Sequence, residues 1–328
     1  MLPFMGLGLI FAAYSSMISR RLVRIKTLQA LYAVQQSGEE STKQGRASLK
    51  DSILRTHDVY LFLLEFPHYL NEYLLSEQEI EAKKFYPDKG RIRRLGLFDN
   101  NALATAIYNK TLNYNRRLFT NSWTDLAEQF ETVIGPLFEQ DFTTDYLVFD
   151  KPSHAQQQSF LQDFYHWLLM ACEPFHGIME EEYGAWNDDE DGIARELEKT
   201  IIGSGEDFVA LASAAGLQDD EVKMGLQLFD LVTDNNEDYE LKIQGVTDNW
   251  DPGRIAIIDL LCIKLALAEF LSFPQVPVKV SINEYLEVVK DYSTPNSGRF
   301  LNGVLDKLRI KLEKDGSIQK TGRGLRDK

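Results

Sequence analysis

The chain has 328 residues, is 44% hydrophobic and carries a formal net charge of −15. That length and apolar content support one or two buried cores and exclude a disordered polyelectrolyte. The acidity argues against indiscriminate nucleic-acid binding, and two cysteines, Cys172 and Cys262, are too few for a disulfide scaffold. Both sit in apolar, helix-like runs, where nothing recommends a disulfide, and they predict a reducing cytoplasm. The charge is unevenly spread: residues 17–26 carry +4, residues 307–328 carry +5, and the rest stands at −24. Basic ends on an acidic body can hold a phosphate backbone locally, because salt screens charges beyond about 10 Å.

Residues 1–14 are apolar, and the first basic residues follow them instead of preceding them as in a signal peptide. About 14 residues are also too few to span a bilayer. Residues 1–16 are therefore an apolar leader upstream of an expected functional start at Met17, with a short membrane anchor as the competing reading. Ile18, Leu22, Ile25, Leu28 and Tyr32 share one helical face and Arg20 and Arg24 another, which predicts an amphipathic helix with a basic stripe. Residues 37–50 are polar and glycine-punctuated and predict a loop. Residues 49–75 predict a long helix with Pro67 as a candidate kink. Residues 76–99 are charged and irregular, with a turn at 86–90.

Helices are predicted over 101–113, 123–140 and 159–183, with a break at 150–153. Residues 187–191 read as an acidic loop, 192–211 as a helix interrupted at Gly203-Ser-Gly205, and 220–236 as a helix. Pro277 suits a helix entrance, Ser281 with Glu284 has capping-box spacing, and Ile282, Leu286 and Val289 form a stripe. Residues 292–297 break it, with Thr294 as N-cap and Pro295 as first helical residue. Phe300, Val304, Leu305 and Leu308 resume the stripe, and Gly316 can end it. Alternating Val/Thr runs are scarce, so the fold class is all-α.

The run Val276-Pro-Val-Lys-Val-Ser-Ile-Asn-Glu284, then Lys290, then Phe300-Leu-Asn-Gly-Val-Leu-Asp306, closely resembles the C-terminal signature of the NusB transcription antitermination family. The segments Asp251–Asp259 and Ile263-Lys-Leu-Ala-Leu-Ala-Glu-Phe270 fit the helix that precedes it in that family. Arg20, Arg21, Arg24 and Leu28-Gln-Ala-Leu-Tyr32 are similar to its basic opening helix. The resemblance covers residues 17–36 and 222–312. It implies a NusB-like two-subdomain helical bundle with extra helices inserted in the N-terminal part. Residues 17–40 and 216–245 would form the N-terminal subdomain, 41–215 the insertion, 246–312 the C-terminal bundle and 313–328 a basic tail. The insertion either adds helices to that subdomain or forms a small domain of its own.

By the same resemblance the protein would bind a boxA-like single-stranded RNA with NusE, a small-subunit ribosomal protein. The pair would join RNA polymerase in an antitermination complex acting on ribosomal RNA synthesis, with no bond made or broken. Arg20, Arg21, Arg24 and Lys26 can neutralise phosphates, and Gln29 and Tyr32 add an amide and a stacking ring. The competing reading is a solvated helix face. A second patch comprises Lys290, Tyr292, Asn296, Arg299 and Phe300 around the last turn, where Phe300 could instead be core. Gly298 and Asn296 depart from the family, which often has His and an acid there. The resemblance places partner docking at Arg254, Glu269, Lys279, Asn283 and Glu284.

Signals for an enzyme are thin. His166, His176 and Glu180-Glu181-Glu182 lack a His-Glu-x-x-His motif, and Pro174 interrupts their helix. Residues 187–192 with Glu198 have calcium-loop spacing, but Asn stands first and a solvated acidic loop is the simpler reading. No cofactor and no metal are expected. A fragment of a NusB-fused RNA methyltransferase would need a Pro-Cys nucleophile, and neither Cys172 nor Cys262 follows a proline. The remaining alternative keeps the fold as an RNA-binding or protein-interaction scaffold in RNA processing.

Overall fold

A computed structural model describes residues 19–37, 41–112, 121–203, 217–247 and 255–327. The leader, Ile18, Trp250, Arg254 and the interruption after Gly203 lie outside the described residues. Among those described, fourteen α-helices and two short 3-10 segments form the regular structure and there is no strand, so the fold is all-α. Two compact units divide it: a terminal unit from Arg20–Ile53 and Asp220–Lys328, and a central unit from Leu54–Asp219.

The terminal unit contains α1 (Arg20–Ser37), the first part of α2 (Thr42–Ala82), α10 (Leu217–Asp234), α11 (Asn236–Gln244), α12 (Ile257–Ser272), α13 (Val278–Tyr292) and α14 (Ser297–Lys314). Its axis is α12, buried without a gap from Asp259 to Phe270 and packed against α1, α11, α13 and α14. A helix apolar nearly all round can only be an interior one. The loop expected over 37–50 is corrected, since α1 runs to Ser37 and α2 begins at Thr42. Gly45, which suggested loop punctuation, is helical. A Cβ there would lie 2.3 Å from Val34 Cγ2, so glycine permits the close approach of α1 and α2.

The expected capping box at Ser281 and Glu284 is also corrected. Pro277 is the N-cap, α13 starts at Val278, and both residues lie inside the helix. The last turn shifts similarly: Thr294 and Pro295 precede α14, whose first residue is Ser297. Gly316 follows the end of α14 with φ +76°, the left-handed conformation that glycine favours.

The central unit holds the rest of α2 with α3 (Lys89–Leu95), α4 (Ala102–Thr111), α5 (Phe130–Phe138), α6 (Asp141–Tyr146), α7 (His154–Met170), α8 (Glu173–Glu182) and α9 (Trp186–Gly203). Its core is aromatic. The Phe66 ring lies between 4.4 and 6.0 Å from Trp123, Phe130, Phe164 and Phe175. Trp123 stacks on Phe62 at 3.9 Å and donates its indole N–H to the Phe62 carbonyl at 2.7 Å. Pro67 does not end α2. Proline lacks the N–H that would bond the carbonyl four residues back, and the Tyr165 hydroxyl donates to that Leu63 carbonyl at 2.9 Å instead.

Several further expectations change here. The irregular stretch 76–99 contains the end of α2 and all of α3, whose N-cap Asp88 accepts from the backbone N–H groups of Gly90 and Arg91. The predicted helix 159–183 is two helices parted at Cys172, with Pro174 in the first turn of the second. The predicted helix 123–140 is α-helical only over α5. The break at 150–153 ends in a capping box, Ser153 with Gln156. The acidic loop 187–191 is the first turns of α9, where carboxylates suit the positive end of the helix dipole. Asp189 there is fully buried and accepts from Thr56 Oγ1 at 2.8 Å and from the Tyr183 hydroxyl. The calcium-loop spacing thus lies along a helix.

Candidate nucleic-acid interface

At the centre of the terminal unit, α12 carries three buried charged residues, Asp259, Lys264 and Glu269, in an otherwise apolar run. Glu269 is fully buried and accepts from Arg24 Nε at 2.6 Å and Nη2 at 3.0 Å, from Ser281 Oγ at 2.5 Å and from the Tyr285 hydroxyl at 3.0 Å. Burial pulls the Arg24 guanidinium down, but the charge and hydrogen bonds of Glu269 outweigh it and hold that pKa above its ordinary value. Burial, then the Glu269 charge, pushes the Tyr285 hydroxyl well up. Lys264, also buried, donates to Asn236 Oδ1 at 2.5 Å and Glu240 Oε1 at 2.6 Å. The signal for both was in the sequence: a cation and a carboxylate inside an apolar helix need partners.

This network reassigns part of the expected RNA surface. The expectation of phosphate contacts from Arg24, on the basic stripe, and from Lys26 is corrected, because the structure buries both. The reason is depth of packing: every residue from Leu22 to Leu28 is buried, with α12 against α1 and Gly225 of α10 facing Val23 and Thr27, so no solvated arc remains there. Arg20, before that contact, is exposed, and beyond it Gln29 is half-buried and Tyr32 is 38% exposed. Arg21 is partly exposed and grips Glu284 through Nε and Nη2, each at 3.1 Å. That hydrogen bonding raises its pKa. Arg24 Nη1 reaches the same Glu284 at 3.4 Å.

The second patch is more open. Lys290, Asn296 and Arg299 are exposed, Tyr292 is half-buried, and Phe300 is 36% exposed, a surface ring instead of a core one. Lys290 donates to Glu287 Oε1 at 2.5 Å, which lowers the pKa of that carboxyl. Glu287 also acts on Arg21, so α1 and the end of α13 share one field of alternating charge. Ser293, unremarkable in the sequence, donates to Asp259 Oδ1 at 2.5 Å and exchanges a hydrogen bond with Ser297, tying the turn to α12.

Of the expected partner-docking residues, Arg254 lies outside the described residues. Glu269 faces the interior, a correction that follows from its four internal hydrogen bonds. Lys279 and Asn283 are exposed, and Glu284 lies between Arg21 and Arg24. In the central unit, His176 Nδ1 accepts from the Trp186 indole N–H at 3.1 Å and lies 3.2 Å from Glu190. Among the described residues no three His, Cys, Asp or Glu side chains could hold a metal ion. Burial raises both thiols, at Cys262 with help from Asp259, which makes them poor nucleophiles. No described helix is long and apolar enough to cross a membrane.

The terminal unit can therefore present cations and rings from a rigid, internally bonded frame. Comparison with known proteins finds similarity over the C-terminal part of that frame and the end of the central unit. The NusB family model matches residues 186–309, beginning in α9 and ending in α14. Three curated relatives are each described as a transcription antitermination protein NusB. The Salinibacter ruber protein is 46% identical over 89 residues, 27% of this chain and 56% of the relative. The Chloroherpeton thalassium protein is 42% identical over 101 residues, 31% of this chain and 48% of the relative. The Desulfatibacillum aliphaticivorans protein is 36% identical over 89 residues, 27% of this chain and 62% of the relative. The chain thus spans about half the length of the curated relatives it matches. No solved structure matches it significantly. Residues 186–309 are thus similar to the NusB family, and the family model leaves the rest of the chain unmatched.

Proposed function

We propose that the protein is a NusB-type transcription antitermination factor, a non-enzymatic binder of boxA-like RNA that works with NusE on ribosomal RNA transcription in the cytoplasm. The observation that carries this reading is the similarity of residues 186–309 to proteins described as antitermination factors. Residues 17–40 and 216–245 serve as the N-terminal subdomain, 246–312 as the C-terminal bundle, and 41–215 as the insertion. Arg20, Tyr32, Lys290, Asn296, Arg299 and Phe300 are the exposed members of the two patches and are assigned to RNA. Arg21, Gln29 and Tyr292 border them. Arg24 and Lys26 support α1 from inside. Lys279 and Asn283, exposed on α13, are assigned to the protein partner.

The test is binding of the full chain to boxA RNA and to a scrambled RNA, with and without NusE, across a salt series. The reading expects a preference for boxA that sharpens with NusE and falls about tenfold in Arg20→Ala/Arg299→Ala, as loss of two phosphate contacts requires. Equal weak binding to both RNAs with NusE present would show that the frame serves another task.

A further inference from the structure

Outside the family-matched span, the connection between α2 and α3, with α3 itself, forms a patch that the proposed function does not use. Phe85 and Tyr86 are 89% and 85% exposed, more than any other large hydrophobic side chain among the described residues. Their rings meet edge to face with centroids 4.7 Å apart. Lys83, Lys84, Lys89, Arg91, Arg93 and Arg94 flank them in the chain, all exposed, with Asp88 the sole acid between 83 and 94. Asp88 is occupied as the N-cap of α3.

Not all of that charge is available. Lys84 and Arg91 share Glu81 Oε2, at 2.7 and 3.2 Å, and Arg91 also reaches Glu77 at 3.7 Å. Lys83 and Glu79, 3.5 Å apart and both exposed, form only a weak solvated pair. Arg93 donates to the Leu147 carbonyl at 2.6 Å, a neutral partner that fixes the side chain and leaves its charge uncompensated. Lys89 and Arg94 take part in no salt bridge among the described residues. Two bare rings thus lie within nine residues of Lys89, Arg93 and Arg94, none of which is held at salt-bridge distance by an acid among the described residues, although Arg94 acts on Asp88.

We infer that Phe85 and Tyr86, with Lys89, Arg93 and Arg94, form a binding surface for single-stranded nucleic acid on the central unit. Unpaired bases stack on aromatic rings whatever their sequence, and the phosphates between them need cations within a few ångströms. An acidic peptide would use the cations and leave the rings idle. A flat anionic membrane would meet Glu77 and Glu79 on the same helix end as the lysines, whereas a single strand can thread past them. The surface is distinct from the patches on the terminal unit, so it stands whether or not boxA is the specific ligand there.

The test uses the full chain, a fluorescein-labelled 20-nucleotide oligouridine and a 4-thiouridine version of it for photocrosslinking. Crosslinks are expected within residues 83–94. Phe85→Ala/Tyr86→Ala should weaken oligouridine binding about tenfold or more, the loss expected for stacked bases. Lys89→Ala/Arg94→Ala should reduce the slope of log affinity against log salt by about 1.4. All four positions are solvent-exposed, and thermal melts of the variants should match the parent. Absence of crosslinks in 83–94 together with unchanged affinity in Phe85→Ala/Tyr86→Ala overturns the assignment. So does loss of binding to phosphatidylglycerol vesicles in that variant while RNA binding stays intact, which would make the patch a membrane contact.

Discussion

In the terminal unit the middle of the core is ionic: Glu269 gathers Arg24, Ser281 and Tyr285, and α1, α12 and α13 meet through charge and hydrogen bonds. In the central unit the middle is aromatic, with Phe66 and Trp123 surrounded by further rings on α2, α5, α7 and α8. An ionic centre is directional. It tolerates one register of three helices and leaves a desolvated charge when any member is lost. An aromatic centre spreads its energy over many contacts and yields gradually to substitution. The directional core is the one within the family-matched span, where Glu269, Ser281 and Tyr285 all lie.

The sharpest way to break the contrast is Glu269→Ala, which strands Arg24 in the interior. Urea denaturation should show a loss of about 3–5 kcal/mol, with faster amide exchange concentrated in α12 and α13. Adding Arg24→Met should recover part of that loss by removing the stranded charge. A double variant no better than the single one would show that charge is not the cause. Phe66→Ala should cost about 3 kcal/mol or somewhat more through the cavity it leaves, with the exchange increase in α2, α5 and α7. Phe66→Leu should return over half of it, because the aromatic centre asks mainly for volume.

Tyr165→Phe is subtler. It removes one oxygen and leaves the Leu63 carbonyl, already without a helical partner because of Pro67, unsatisfied in the core. A loss of about 1–2 kcal/mol is expected by denaturation, and a Pro67→Ala background should abolish most of it. Acid affects the central unit through His68, stacked on Tyr108 at 3.5 Å. Burial lowers the His68 pKa below its ordinary 6.5, against a smaller opposing pull from Glu72. The unfolded chain therefore binds the proton first, and stability falls as pH drops below about 6.5. His68→Phe should flatten that dependence in thermal melts. The smallest effect belongs to the exposed Arg46–Asp230 pair on the terminal unit. Arg46→Ala should cost under about 1 kcal/mol and less in high salt, despite contacts of 2.7 and 2.9 Å.

The all-α class and the ends of the last hairpin were legible in the sequence, because helical spacing, Pro277 and Gly316 are local signals. What failed was local evidence with a tertiary cause. Ser281 and Glu284 imitate a capping box because the residues that bond Glu269 and Arg21 happen to be three apart. Gly45 and Pro67 imitate punctuation, yet one admits a neighbouring helix and the other has its vacated carbonyl served from α7. The acids at 187–191 suggested a loop by composition, while their position at a helix start made them favourable. Within α1, periodicity identifies an apolar face and says nothing of depth, so the sequence groups Arg24 and Lys26 with Arg20 as phosphate contacts although both are buried. The rings at 85 and 86 lay in a stretch that showed only irregular charge, and exposure had to be seen in three dimensions.

The pairing of Arg24 with Glu269 also has a consequence in time. The two residues are 245 positions apart, and a ribosome adding about 5–20 residues per second needs on the order of ten to fifty seconds to travel between them. Throughout that interval Arg24 lacks its carboxylate partner and the face of α1 that meets α12 has nothing to cover it, while the whole of the central unit's sequence is synthesised. The first of the described helices is thus among the last to be fully seated. A nascent chain halted before α12 should leave α1 open to proteolysis, and one released after α13 should protect it.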